Sequence, residues 1–286
     1  MTVLFAGIAI GSLYAITAML YNITIASSGI FSFATAQYLM VGTFVSLVVT
    51  QSGLSPLLAI PAGAVVGGIL GWLTEFLAIR PLSDKTGWAA LVTTVGFGVV
   101  VEGIVYAVWG GDPRSVAFFT DDSIIRIGDG TLTVVDIYLI VIALVMTGLG
   151  HWVQRRTRWG LMGRAVTSDQ QAAASRGINV TRLTVNGFII AGAIGGALGF
   201  VVAPKVSVSF SLGSTLVIYG FVALTIGGFG SYFGCWLGGL IVGLVQALTE
   251  RYLGSSFPLL VLFVLLLAVL LLRPTGLFGD RRMRLV

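Results

Sequence analysis

The stretch GLMGRAVTSDQQAAASRGINVTRL, residues 160–183, is the one long polar interval of this chain with the pattern of a helix. Ser168, followed three residues later by Gln171, matches the capping box that opens helices. Asp169 near the start and Arg176 near the end both complement the helix dipole. The sequence therefore predicts a short surface helix of about two turns from Asp169 to Arg176, placed between hydrophobic segments.

Composition places the rest of the chain in a membrane. Of the 286 residues, 57% are hydrophobic and only 9% are charged, and the mean hydropathy is +1.02. A span needs about 20 apolar residues, and the sequence offers roughly eight or nine such windows with short connections. We therefore expect an all-α polytopic membrane protein with a single transmembrane domain over residues 1–286. Cys235 is the only cysteine, which excludes an internal disulfide and a cysteine metal site.

Positive charge is concentrated at two places, which predicts the orientation of the chain. Ten of the 16 lysine and arginine residues lie in the central loop or at the C-terminus: Arg155, Arg156, Arg158, Arg164, Arg176, Arg182, Arg273, Arg281, Arg282 and Arg284. Because cytoplasmic loops carry such an excess, we expect Gly160 to Arg182 and the tail after Arg273 in the cytoplasm. Asp112 to Asp129 lacks this excess and is expected outside. The pI of 9.7 thus reflects topology and does not indicate a nucleic-acid partner.

The hydrophobic windows give nine candidate spans, of which two are irregular. The nine are Val3–Tyr21, Gly29–Val49, Pro56–Ile79, Trp88–Trp109, Val134–Val153, Thr184–Val202, Leu216–Phe229, Gly234–Thr249 and Pro258–Leu272. Gly29–Val49 is interrupted by small polar residues, and Leu216–Phe229 is too short for the hydrocarbon core. Irregular backbone is stable at membrane depth only against protein or water, so both are predicted to be broken or re-entrant.

Glycines at helical spacing predict close packing between spans. Gly63, Gly67 and Gly71 share one helix face, and so do Gly192 and Gly196. Small residues at this spacing let two helix backbones approach without side chains between them. We expect these glycines to form packing faces.

The two irregular segments are the predicted solute path. Broken helices expose N–H and C=O groups that can bind a solute, and uncharged side chains can orient it. The candidate residues are Ser32, Thr35, Gln37, Tyr219 and Thr225. The alternative is that these side chains only satisfy the interrupted helix backbone.

Acidic residues in or beside predicted spans are informative, because a charge at the bilayer centre costs about 2.5 to 3.5 kcal/mol. Glu102 is the deepest and is expected to face the bundle interior, in packing or in solute contact. Glu75 and Glu250 lie nearer the span ends. They are expected to reach the interface, with Arg80 and Arg251 as partners.

Six segments in order along nearly the whole chain carry a family resemblance. They are GSLYAI at 11–16, RPL at 80–82, WGGDPRS at 109–115, GRAVTSD with RGIN at 163–169 and 176–179, IGGFGS at 226–231, and LRPTGLFG at 272–279. Together they resemble the permease subunits of ABC importers of the branched-chain amino-acid type, and of these the shorter of the two paired permeases. The resemblance implies a bacterial inner-membrane protein that works with a second homologous permease, two cytosolic ATPases and an external solute-binding protein. ATP and magnesium would bind the ATPases, and the permease itself would be no enzyme and hold no cofactor.

By the same resemblance, the helix Asp169 to Arg176 is the coupling element that docks on an ATPase subunit. The residues expected at this contact are Arg164, Asp169, Gln170, Gln171, Ala173, Ala174, Arg176 and Gly177. The chain departs from the family at 32–36, where SFATA stands in place of NFAHG, and at 169–171, where DQQ stands in place of Asp-Pro-Glu. Tyr219 stands at a position that is commonly basic. The substrate stays open among amino acids, amides, urea and aromatic acids, as does the choice between a homodimer and a heterodimer of permeases.

A stand-alone secondary transporter or channel is the alternative function. It would need carboxylates at mid-membrane for a coupling ion, and Glu102 is the one candidate in the sequence. An intramembrane enzyme would need a nucleophile with its base, or a metal constellation, and the sequence contains no such motif.

Overall fold

A computed structural model describes residues 2–82, 87–116, 124–127 and 130–279. Six helices in this part are long and apolar enough to cross a bilayer: Thr2–Ser28, Pro56–Ile79, Trp88–Trp109, Val134–Arg156, Val180–Val202 and Tyr232–Tyr252. Shorter helices occupy the other three predicted windows, at Thr35–Gln51, Leu212–Gly227 and Pro258–Leu272. The prediction of an all-α polytopic membrane protein is thus confirmed.

Eleven α-helices are numbered along the described residues. They are α1 Thr2–Ser28, α2 Thr35–Gln51, α3 Ala59–Leu73, α4 Gly87–Trp109, α5 Val134–Arg156, α6 Arg158–Ser168, α7 Gln170–Ser175, α8 Val180–Val202, α9 Leu212–Gly227, α10 Tyr232–Tyr252 and α11 Pro258–Leu272. A 3-10 turn at Pro56–Leu58 leads into α3, and a π-helical turn at Thr74–Ile79 continues it. Strands β1 Ile124–Ile127 and β2 Gly130–Thr133 pair antiparallel before α5, an element that the helical patterns did not predict.

The described residues form two compact units. The first contains 2–22, 124–127, 130–152 and 218–279, and the second contains 23–82, 87–116 and 153–217. Each unit therefore combines early and late parts of the chain. The single transmembrane domain over residues 1–286 remains a prediction.

In the second unit, glycines bring α2, α3 and α8 together. Gly67 of α3 and Gly192 of α8 are so close that a Cβ atom added at either would overlap the carbonyl oxygen of the other. A Cβ atom at Gly196 would overlap the Gly63 carbonyl oxygen, and one at Gly42 of α2 would lie 2.8 Å from Gly196 Cα. The predicted packing face of α3 is confirmed, and its partner is α8.

In the first unit, the IGGFGS and LRPTGLFG motifs meet at the end of α9. Leu277 N donates to Ile226 O over 2.8 Å, and Phe278 N donates to Gly227 O over 2.9 Å. These carbonyls belong to the last turn of α9, where no further helical N–H can reach them. The segment after α11 thus completes α9. Gly228 permits the turn that follows, because its φ of 101° is rarely adopted by other residues.

Candidate functional site

The central polar stretch forms two helices, α6 and α7, instead of one. The predicted helix corresponds to α7, and Gly177, with a φ of 86°, lies just beyond its end as expected. The predicted capping box is wrong, because Ser168 ends α6, where its Oγ donates to Arg164 O over 2.9 Å. Asp169 is the cap instead: its Oδ1 accepts from Ala172 N over 2.9 Å. Aspartate caps helices as well as serine does, and its extended backbone here separates the two helices.

A small hydrophobic cluster anchors α7 to its neighbours. Ala173 is only 3% exposed and lies in a cluster with Val166 of α6 and Leu183 of α8. Ala174 is exposed. The Ala173 side chain packs against the chain's own residues, so only Ala174 of the two alanines is exposed, and the docking role of both stays a prediction.

The other predicted contact residues form an exposed coupling surface on α6, α7 and the link between them. It consists of Arg164, Asp169, Gln170, Gln171, Ala174, Arg176 and Gly177. The arginines that flank this surface, Arg155, Arg156, Arg158 and Arg182, are exposed as well. The surface is thus predominantly basic, and the cluster beneath it holds α7 in a defined position.

A polar group of three side chains lies within the second unit; we call it the Glu102 cluster. Glu102 Oε1 of α4 accepts from Gln37 Nε2 of α2 over 2.9 Å and from Ser214 Oγ over 2.5 Å. Gly98 and Gly213 leave room for the Gln37 amide, since a Cβ atom added at Gly213 would overlap it. Ser214 was not among the site residues predicted from the sequence. The one sequence feature that could have suggested it is its position among small polar residues at the start of α9.

Three polar atoms near the start of α2 are buried without a hydrogen-bond partner in the described part of the chain. They are Ser32 Oγ, Thr35 Oγ1 and Gln37 Oε1. Thr94 of α4 instead bonds the interrupted backbone before α2, since its Oγ1 accepts from Phe33 N over 3.3 Å. Leaving a buried polar group unsatisfied costs about 1 to 3 kcal/mol, so such atoms are uncommon unless they serve a ligand. In the described part of the chain the hydroxyls of Ser32 and Thr35 thus do not bond the interrupted backbone, and their place in the solute path stays a prediction.

The other two path candidates, Tyr219 and Thr225, belong to the first unit. The Tyr219 ring stacks on that of Tyr14, with centroids 4.7 Å apart, and the Tyr14 hydroxyl donates to Gln246 Oε1 over 2.5 Å. Thr225 Oγ1 donates to Phe221 O over 2.8 Å. This bond to helix backbone is the alternative to a solute contact. A path that includes residues of both units remains a prediction.

The remaining intramembrane acids differ from their predicted surroundings. Glu75 pairs with Arg80 over 3.2 Å as predicted, but its side chain is 3% exposed and does not reach the interface. Glu250 Oε1 accepts from Gln246 Nε2 over 2.8 Å, and the predicted pair with Arg251 is not among the ion pairs of the described residues.

Comparisons with known proteins cover nearly the whole chain. The family model described as branched-chain amino acid transport system / permease component matches residues 3–270. The high-affinity branched-chain amino acid transport system permease proteins LivH of Salmonella typhimurium and BraD of Pseudomonas aeruginosa are each 28% identical, over 96% of this chain and 94% of their own length. The fructose import permease protein FrcC of Rhizobium meliloti is 29% identical over 71% of this chain and 58% of its own. No solved structure matches the chain.

Proposed function

Since the chain belongs to the family of permease components of branched-chain amino acid transport systems, we propose that it is the membrane permease subunit of an ABC importer. In this proposal it moves a small polar solute, a branched-chain or related amino acid, into the cell across the bacterial inner membrane. Separate ATPase subunits supply the energy, a second homologous permease completes the pore, and an external binding protein delivers the solute. The match over residues 3–270 carries the proposal.

The coupling surface supports the dependence on an external ATPase. A helix moves the spans beside it only if it is both accessible to a partner and fixed to those spans. Ala174 and Arg176 are exposed, whereas Ala173 on the same helix is buried against α6 and α8. A push on α7 would therefore be transmitted to α8, which α7 joins through a short link.

Reconstitution with partner proteins tests the proposed function. The chain is produced with the permease, ATPase and binding-protein genes that neighbour it, and uptake by proteoliposomes is measured for leucine, urea and fructose with and without ATP. We expect leucine uptake to require both ATP and the binding protein, whereas uptake of urea or fructose in its place would contradict the amino acid as the solute. Uptake by the chain alone, driven by an ion gradient, would favour the stand-alone secondary transporter.

The unpartnered polar atoms near the start of α2 support a solute contact there. Thr35→Val removes only a hydroxyl that has no partner among the described residues, so folding should be unchanged. If this hydroxyl binds the solute, its loss should weaken passage by about 0.5 to 1.5 kcal/mol, a 2- to 12-fold lower uptake. The measurement is ATP-driven uptake at equal amounts of assembled complex.

Thr43→Val provides a matched control on the same helix. Thr43 is also fully buried, but its Oγ1 donates to Met40 O over 2.6 Å. We expect normal uptake from this variant. Equal uptake by Thr35→Val and the wild type would remove Thr35 from the path.

The orientation is likewise a proposal, with the coupling surface in the cytoplasm and the loop around Asp112 outside. Of the residues that suggested it, Asp121, Asp122, Asp129, Arg281, Arg282 and Arg284 lie outside the described residues. Asp112 and Gln170 are both described and exposed. They therefore serve as reporters for the two sides.

An impermeant thiol reagent applied to intact cells should label Asp112→Cys and spare Gln170→Cys. The background carries Cys235→Ser, because Cys235 is the only cysteine of the sequence and the label must report the introduced cysteine alone. Labelling after permeabilisation checks that both cysteines are reactive. The reverse labelling pattern would contradict the orientation.

A further inference from the structure

The Glu102 cluster contains hydrogen-bond acceptors that the described residues do not use. Glu102 Oε1 accepts both bonds, from Gln37 Nε2 and Ser214 Oγ, while none of the described residues donates to Oε2. Gln37 Oε1 is buried and also without a partner. Because the Gln37 amide donates through its nitrogen to Glu102, its oxygen is fixed as the atom left over. The described residues therefore leave two acceptor oxygens of the cluster unused, beside the second N–H of Gln37 Nε2.

Within the described residues, Glu102 has no basic partner. Their one ion pair joins Arg80 to Glu75, and the groups that contact the Glu102 carboxylate are a neutral amide and a neutral hydroxyl. Acidic side chains within membrane spans almost always pair or line a path for cations and solutes. The missing positive charge is thus expected to come from a ligand.

We propose that Glu102 and Gln37 bind the ammonium group of the transported solute. This inference rests on the proposed function, which it deepens by naming the residues that bind the amino group of the solute. An ammonium group has three donors and no acceptor, which complements an unused carboxylate oxygen and an unused amide oxygen. Urea, a sugar or an acid without an amino group brings no positive charge to Glu102.

The position of Gln37 makes the cluster selective. Its amide lies between Gly98 and Gly213, and a side chain at Gly213 would displace it. The two glycines thus leave the space in which the amide bonds Glu102. A solute that lacks donors would leave Gln37 Oε1 buried and unsatisfied, which disfavours its passage.

Ligand-induced thermal stabilisation of the purified transporter complex, prepared without the binding protein, tests this chemistry directly. The probes are 3-methylbutylamine, leucine, 4-methylpentanoate and sodium chloride at equal concentrations. We expect the amine and leucine to raise the melting temperature, and the acid and the salt to leave it unchanged. Equal shifts from sodium chloride and the amine would identify a simple cation site and overturn the inference, as would a shift from 4-methylpentanoate alone.

Glu102→Gln tests the residue. Its amide oxygen can still accept from Gln37 and Ser214, so assembly should survive, while the apparent affinity for 3-methylbutylamine should fall roughly ten- to hundredfold. Glu250→Gln, at an exposed acid on α10, should keep the wild-type affinity. An unchanged affinity in Glu102→Gln would overturn the role of Glu102.

ATP-driven leucine uptake separates this inference from the proposed function. If the wild-type complex shows no ATP-driven uptake of leucine, urea or fructose, the proposed function fails. If it takes up urea or fructose but not leucine, the ammonium site is overturned although the chain is still part of an ATP-driven importer. If the wild-type complex takes up leucine and Glu102→Gln does so equally well, only the ammonium site fails.

Discussion

Replacing Gly196 with leucine should prevent the chain from assembling into a stable membrane complex. A Cβ atom at this position overlaps the Gly63 carbonyl oxygen and lies 3.0 Å from Gly67 Cα, and both are backbone atoms of α3. Backbone cannot rotate away as a side chain can, so α3 and α8 would have to separate. Gly42 of α2 would also lose its close backbone contact with Gly196. We expect a loss of about 3 kcal/mol or more, at the upper end of overpacking effects.

The amount of folded protein extracted in mild detergent, measured by size-exclusion chromatography of a fluorescent fusion, checks this expectation. Gly148→Leu is the matched control, because a Cβ atom at that exposed position of α5 meets no other atom within 4 Å. It should accumulate as the wild type does. Wild-type accumulation of Gly196→Leu would mean that α3 and α8 do not pack as described.

Replacing Ala174 with tryptophan should weaken the docking of the ATPase and so lower ATP-driven transport. Ala174 is exposed on α7, so a large side chain there leaves the cluster around Ala173 intact and disturbs only a docked partner. Overpacking at an interface costs about 1 to 3 kcal/mol, which corresponds to a roughly 5- to 150-fold weaker association with the ATPase. Uptake should fall by a similar factor.

Co-purification of the ATPase subunits and ATP-driven uptake, measured on the same preparation, distinguish this effect from misfolding. Thr181→Trp is the control, since Thr181 is exposed near the start of α8 and outside the coupling surface. Its uptake should stay near the wild-type level. Normal uptake and normal co-purification of Ala174→Trp would remove α7 from the docking contact.

The sequence predicted the membrane segments well because their signal is long and physical. A window of about 20 apolar residues has few alternatives to a helix in a bilayer, and each of the nine windows contains one. The glycine face of α3 could be predicted equally well, because the spacing of small residues alone shows which of them share a helix face. Its partner on α8 was not identified, since nothing in a single sequence states which two glycine faces meet.

Short polar elements were predicted less well. Gln170–Ser175 has three alanines in six residues, and such a helix offers no contrast between faces, so the burial of Ala173 could not be foreseen. The cap was placed at Ser168 because serine and aspartate are nearly equivalent caps, and only the structure shows which one ends α6. Ser214 donates to Glu102 although the two residues are 112 positions apart in the chain, and no local sequence pattern predicts a contact at that separation.

The pairing of the last motif with α9 has a consequence for the biogenesis of the protein. The carbonyl groups of Ile226 and Gly227 acquire their partners only from Leu277 and Phe278. The ribosome must therefore synthesise about 50 further residues before the end of α9 can be completed, although membrane proteins begin to fold during synthesis. A chain truncated before Leu277 should have a less stable end of α9 and should be degraded more readily by quality-control proteases. A fusion partner for production should therefore be attached beyond Gly279.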